Sequence, residues 1–126
     1  MSRSKPIAIV SIVDDDEPVR EAIKRLVQSL DYNACTFASA NEFLKSEQVH
    51  DTSCIITDLQ MPGLSGIDLQ DILIARGHRT PIIFITAYPE EDVRARAMKA
   101  GAVGFLSKPV NHDHLVGHLE ITLKAN

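Results

Sequence analysis

The chain has 126 residues, 44% of them hydrophobic, and sets 13 Lys and Arg against 17 Asp and Glu for a net charge of −4. That length suits one ordinary domain with a buried core, not two well-packed ones. The acidic balance excludes a chain built mainly to grip nucleic acid or an anionic membrane; with no Trp and two Tyr, base-stacking platforms are also poorly supported.

No run of about 20 apolar residues offers a transmembrane span. Met1-Ser2-Arg3-Ser4-Lys5-Pro6 leads into a short apolar segment broken by Ser11 and stopped by acids, without the long apolar centre of a secretory signal. Cys35 and Cys54 lie inside apolar segments and belong to no CxxC pair. Both are expected to be buried core thiols, and the expected location is the cytoplasm.

In chain order, residues 7–13 read as a strand covered on both faces. Pro18 opens a helix whose Val19, Ile23, Leu26, Val27 and Leu30 recur at helical spacing, with Asp16 or Glu17 as its cap. Residues 34–37 read as a second strand. Ser39-Ala40-Asn41-Glu42 reads as a capping box that starts a helix with Phe43 and Leu44 inward. Residues 53–57 form a third strand running into Asp58 and a loop containing Pro62 and Gly63. Gly66 opens a helix carrying Leu69, Ile72 and Leu73, with Gly77 just past its end. Residues 81–86 are a fourth strand. Pro89, Glu90, Glu91 and Asp92 start a helix with acids first and Arg94, Arg96 and Lys99 later, and Gly101 ends it. Residues 103–106 are a fifth strand. Asn111 caps a last helix that turns Leu115, Leu119 and Leu123 inward.

Strands alternating with helices over short connections demand parallel pairing and right-handed crossovers. The expected fold is α/β: a doubly wound five-stranded parallel sheet of order 2-1-3-4-5 flanked by five helices, flavodoxin-like, with residues 1–126 as one domain. Ligand sites in such sheets lie outside the carboxyl ends of the strands. Those ends carry Asp14, Asp15 and Asp16, then Asp58, then Thr86, then Lys108. Carboxylates about 5 Å apart repel by about 3 kcal/mol per pair at an effective dielectric near 20, so the cluster needs a counterion. Hard oxygens in a small open site suit Mg²⁺. A carboxylate can accept a phosphoryl group as an acyl phosphate, and that transfer needs cations around three equatorial oxygens. Asp58, alone on the central strand, is the candidate nucleophile. Lys108, the Thr86 hydroxyl and the Ala87 amide are candidate partners of the phosphoryl oxygens.

Val13-Asp14-Asp15-Asp16, Thr57-Asp58-Leu59-Gln60-Met61-Pro62 with Gly66, Ile85-Thr86-Ala87 and Phe105-Leu106-Ser107-Lys108-Pro109 together resemble the receiver domain of two-component response regulators. The resemblance covers essentially the whole chain. Residues 15–20 and 98–103 look like receivers joined to LuxR-type outputs, as in nitrogen-fixation regulators. It implies that Asp58 is the phosphoacceptor in a phosphorelay and that Mg²⁺ is held by Asp15, Asp58, the Gln60 carbonyl and, through water, Asp14. It implies that Lys108 binds the phosphoryl group, that Thr86 and Phe105 form the switch, and that the Lys108–Pro109 bond is cis. Gln60 and Tyr88 match variable positions that influence dephosphorylation. The implied partners are a sensor histidine kinase or phosphotransfer protein and an output domain or partner protein. A phosphorylation-dependent homodimer is open. No direct binding of nucleic acid or membrane is expected. The expected output surface spans the fourth helix, fifth strand and fifth helix, around Arg96, Lys99 and Val103 through His114. Such a domain is no enzyme in the usual sense, since it catalyses only its own phosphorylation and dephosphorylation.

Two other chemistries use similar sheets. A haloacid-dehalogenase-type phosphatase wants a second acid two residues after its nucleophile, where this chain has Gln60, and a substrate cap, for which there is no insertion. A flavodoxin-like electron carrier wants a glycine- and hydroxyl-rich phosphate loop where this chain has three acids. His112, His114 and His118 on the last helix have no evident third metal ligand beside the 114/118 pair and are expected on a solvated face. Met98 is expected in the core or on a partner surface.

Overall fold

The computed structural model describes residues 7–124. Strands β1 (Ile9–Val13), β2 (Asn33–Phe37), β3 (Cys54–Asp58), β4 (Ile82–Thr86) and β5 (Gly104–Ser107) alternate with helical segments. These are α1 (Glu17–Ser29), α2 (Ala40–Leu44), α3 (Gln48–Asp51), α4 (Gly66–Ala75), α5 (Glu91–Lys99) and α6 (His112–Lys124). All four ladders are parallel and the order is β2-β1-β3-β4-β5, the doubly wound sheet expected from the alternation.

Each central strand feeds two cores, because successive side chains point to opposite faces. Ile12, Ile56, Ile83 and Ile85 pack with Ile23 and Val27 of α1 and Leu115 and Leu119 of α6. Val13, Ile55, Ile82 and Phe84 pack on the other face with Phe43, Leu69, Leu73 and Ala97. Leu123 lies against the first cluster and Met98 against the second.

Local signals place most of the ends. Asp16 is the α1 cap, its side chain accepting from the Val19 amide, and the helix starts one residue before Pro18. Asn111 Oδ1 accepts from the His114 amide at 2.9 Å. Ser39 accepts from the Glu42 amide, while Glu42 reaches back past the cap to accept from the Ala38 amide.

Three expectations need correction. Among the described residues, six helical segments replace the expected five, because the stretch after β2 breaks into α2 and α3. The Ser46 hydroxyl donates to the Phe43 carbonyl at 2.7 Å and accepts from the Gln48 amide at 3.2 Å, closing one turn and opening the next. Cys35 is half-buried rather than core, because β2 is an edge strand; Cys54 on β3 is fully buried, and burial pushes its thiol up to about 12. His118 leaves the solvated face. It lies half-buried over β5, where a Cβ built on Gly104 would meet its Nδ1 at 3.0 Å.

Candidate functional site

Register turns four separated residues into one row. Val13 lies beside Thr57, Asp58 beside Ile85, and Thr86 beside Ser107. The residues that end or just follow those strands, Asp14, Asp58, Thr86 and Lys108, therefore line the carboxyl edge, with Asp15 next in the loop. The β1–β3 crevice is also where the strand order reverses, the switch point at which such sheets bind ligands.

Asp14 is fully buried and closely held. Its amide donates to the Phe37 carbonyl at 3.1 Å, and its Oδ1 accepts from the Asp16 amide at 2.9 Å. Its carbonyl accepts from Arg20 Nη1 at 2.6 Å. Oδ2 faces the Lys108 ammonium at 3.2 Å and has no directed hydrogen bond. Asp58 closes β3, with Oδ2 at 3.3 Å from the same ammonium and Oδ1 accepting from the Gln60 amide at 3.4 Å. Asp15 is exposed at the mouth.

Electrostatics match the geometry. Burial first, then the negative charge of Asp14, hold the Asp58 carboxyl above its ordinary value, against the pull of Lys108 and the Gln60 amide. Burial opposes the charge of Lys108, but Asp14 and Asp58 outweigh it and hold the ammonium above its ordinary value. One lysine thus bridges two buried carboxylates, and the row still lacks positive charge.

Asp14, Asp15 and Asp58 each offer one carboxylate oxygen, all within 4.8 Å of one another. Three hard oxygens this close, one of their carboxylates buried with an oxygen that receives no directed hydrogen bond, fit a divalent cation such as Mg²⁺, which keeps some of its waters and leaves room for a phosphoryl oxygen. No helix among the described residues is long and apolar enough to cross a membrane.

Thr86 ends β4 fully buried, its Oγ1 accepting from the Tyr88 amide at 3.0 Å and its carbonyl accepting from the Lys108 amide at 2.8 Å. Ala87 and Tyr88 are exposed beside it. Phe105 pairs with Phe84 across the β4–β5 ladder, half-buried, with ring centroids 6.3 Å apart. The Lys108–Pro109 bond is cis. Gly66 is required by close approach: a Cβ there would stand 2.6 Å from the Asp58 carbonyl oxygen and 3.1 Å from Phe84 Cε1.

Sequence reading brings Asp14, Asp15, Asp58 and Lys108 together correctly and misses Arg20, whose hydrogen bond back over the helix start carries no periodic signal.

Residues 10–120 match the response regulator receiver domain. The chain is 42% identical over 109 residues to Nodulation protein W of Bradyrhizobium diazoefficiens, covering 86% of this chain and 48% of that one. It is 35% identical over 114 residues to Transcriptional regulatory protein FixJ of Azorhizobium caulinodans, covering 90% and 54%. The solved structure of response regulator StyR superposes with a TM-score of 0.87 at 40% identity, over 96% of this chain and 61% of that one. The chain spans about half the length of the curated relatives it matches.

Proposed function

The chain belongs to the response regulator receiver family, whose members act as phospho-accepting switches in phosphorelays, and from that premise we propose that Asp58 is the residue that takes the phosphoryl group. The observation that carries the assignment is its place. Asp58 ends the central strand, 3.3 Å from the Lys108 ammonium, and shares the acidic cluster with Asp14 and Asp15.

The donor in this reading is a phosphohistidine on a sensor kinase or phosphotransfer protein. An Asp58 oxygen attacks phosphorus in line; the new O–P bond forms as the P–N bond breaks, and the imidazole leaves with a proton. Asp15, Asp58 and the Gln60 carbonyl would hold Mg²⁺, with Asp14 acting through water; when bound, the ion neutralises charge on the transferring oxygens. Lys108 turns toward a second oxygen. The Thr86 hydroxyl and the Ala87 amide would take the third. Hydrolysis of the acyl phosphate at the same place resets the domain, so the site serves its own carboxylate and no separate substrate.

The signal leaves through Thr86 and Phe105. The new phosphoryl oxygen draws the Thr86 hydroxyl inward, and the half-buried Phe105 ring turns into the space that opens. This changes the surface formed by α5, β5 and α6, from Arg96 and Lys99 to Val103 and on to His114. The occupant of that surface is an output domain or partner protein, or a second phosphorylated copy; the domain itself does not contact nucleic acid.

Incubation with acetyl phosphate, with and without Mg²⁺, followed by borohydride trapping, tests the assignment. Label is expected on Asp58, dependent on Mg²⁺, and absent from Asp58→Asn. Label on another residue, or undiminished labelling of the variant, overturns it.

A further inference from the structure

We propose that Arg20 is a positioning residue for the metal site: it fixes the peptide from which Asp15 projects. The inference rests on the reading above that Asp15 is a ligand.

Asp15 is the exposed member of the acidic cluster, and among the described residues its side chain has neither an ion-pair nor a hydrogen-bond partner. Nothing at the carboxylate end holds it. Its direction is therefore set from the backbone. The Asp14 carbonyl and the Asp15 amide belong to one rigid planar peptide unit, so fixing the carbonyl fixes the plane from which Asp15 departs.

That carbonyl is where Arg20 acts. From the second turn of α1, Nη1 reaches back to the Asp14 oxygen at 2.6 Å, while the Arg20 amide donates to the Asp16 carbonyl at 2.9 Å. The side chain and the backbone of one residue thus clasp the loop from both sides of Asp15. No carboxylate among the described residues lies within ion-pair distance of the guanidinium, so its charge is not spent on a surface acid. A charge-assisted bond to a carbonyl is among the stronger ones a loop can have. Groups that orient metal ligands without touching the metal typically set about 10-fold in its affinity.

The test uses the full chain and Mg²⁺ alone. Binding is followed by the metal-dependent rise in melting temperature and by the Asp15 amide resonance; acetyl phosphate labelling is then measured at saturating Mg²⁺. Arg20→Met keeps the packing stem and loses the donors. It is expected to need about 10-fold more Mg²⁺ for half-saturation and to recover its labelling rate to within about twofold once saturated. Arg20→Lys, with one donor of similar reach, is expected to restore most of the affinity. Wild-type Mg²⁺ binding by Arg20→Met, or a labelling defect that saturating Mg²⁺ does not repair, overturns the proposal. Asp15→Asn separates the two readings. If it binds Mg²⁺ as wild type does, the ligand assignment fails and this inference with it. If it loses binding while Arg20→Met keeps it, the Arg20 inference alone fails.

Discussion

Where β1 ends, Asp14 is held at its amide, its carbonyl and one carboxylate oxygen, with a lysine facing the other. Where β5 runs, Phe105 packs against Phe84 and is half-buried. The first region is pinned at Asp14 by directed bonds and carries too much negative charge. The second is a half-buried aromatic contact at the margin of the core. Phosphoryl chemistry needs groups that do not reorganise when charge arrives, whereas a readout needs an element with two arrangements of similar energy. On the proposed function, these demands fall on different strands of one sheet.

The contrast breaks most completely at Asp58. Asp58→Asn is expected to abolish phosphoryl uptake while leaving the fold intact, and it carries a signature in stability. Folded Asp58 titrates above its ordinary 3.8, through burial first and Asp14 second. The folded chain therefore keeps that proton to higher pH than the unfolded chain, and stability falls as pH rises through the folded value. Without Mg²⁺, the variant is expected to melt above wild type at neutral pH and to lose that margin as the pH approaches 3.8. A margin independent of pH would place the strain elsewhere.

Lys108→Met tests how far the held region depends on its one bridging cation. Two carboxylates, one fully buried and one 8% exposed, lose their shared partner. The expected cost is about 3 kcal/mol, read from urea unfolding without metal, with part of it returned by Mg²⁺. A change near zero would mean that the cluster relaxes into water.

Gly66→Ala pushes a methyl into the Asp58 carbonyl and the Phe84 ring. Overpacking of this kind costs about 2 kcal/mol, and because it bears on the Asp58 backbone, labelling should slow as well. Thr86→Ala has the smallest expected effect on chemistry, a loss of labelling rate of about fivefold at most, the worth of one hydrogen bond. It separates the regions: beryllofluoride should still perturb resonances around Asp58 and no longer reach Phe105. Distant shifts that survive in this variant would show that the coupling bypasses Thr86.

Much of this is legible in the sequence. The strand ends carry the acids, the hydroxyl and the lysine, and alternation with helices dictates a parallel sheet that lines them up. What escaped has a common physical origin. Ser46 splits a helix through side-chain bonds that compete with the backbone, and composition does not say which will win. Arg20 clasps a loop across six residues, a contact that exists only once the loop has its shape. The apolar neighbours of Cys35 point to burial, but its exposure depends on β2 lying at the edge of the sheet. Local pattern reports the repeating contacts of strands and helices, and these three are not repeating contacts.

The two thiols give the domain a built-in clock for its own opening. Cys54, fully buried on β3 and with its proton held up to about 12, presents almost no thiolate to an alkylating reagent at pH 8, whereas the half-buried Cys35 on the edge strand needs only local fraying. Mass spectrometry of timed alkylation would therefore count two events in one sample. The first adduct reports loosening of the β2 edge, and the second reports unfolding through the middle of the sheet.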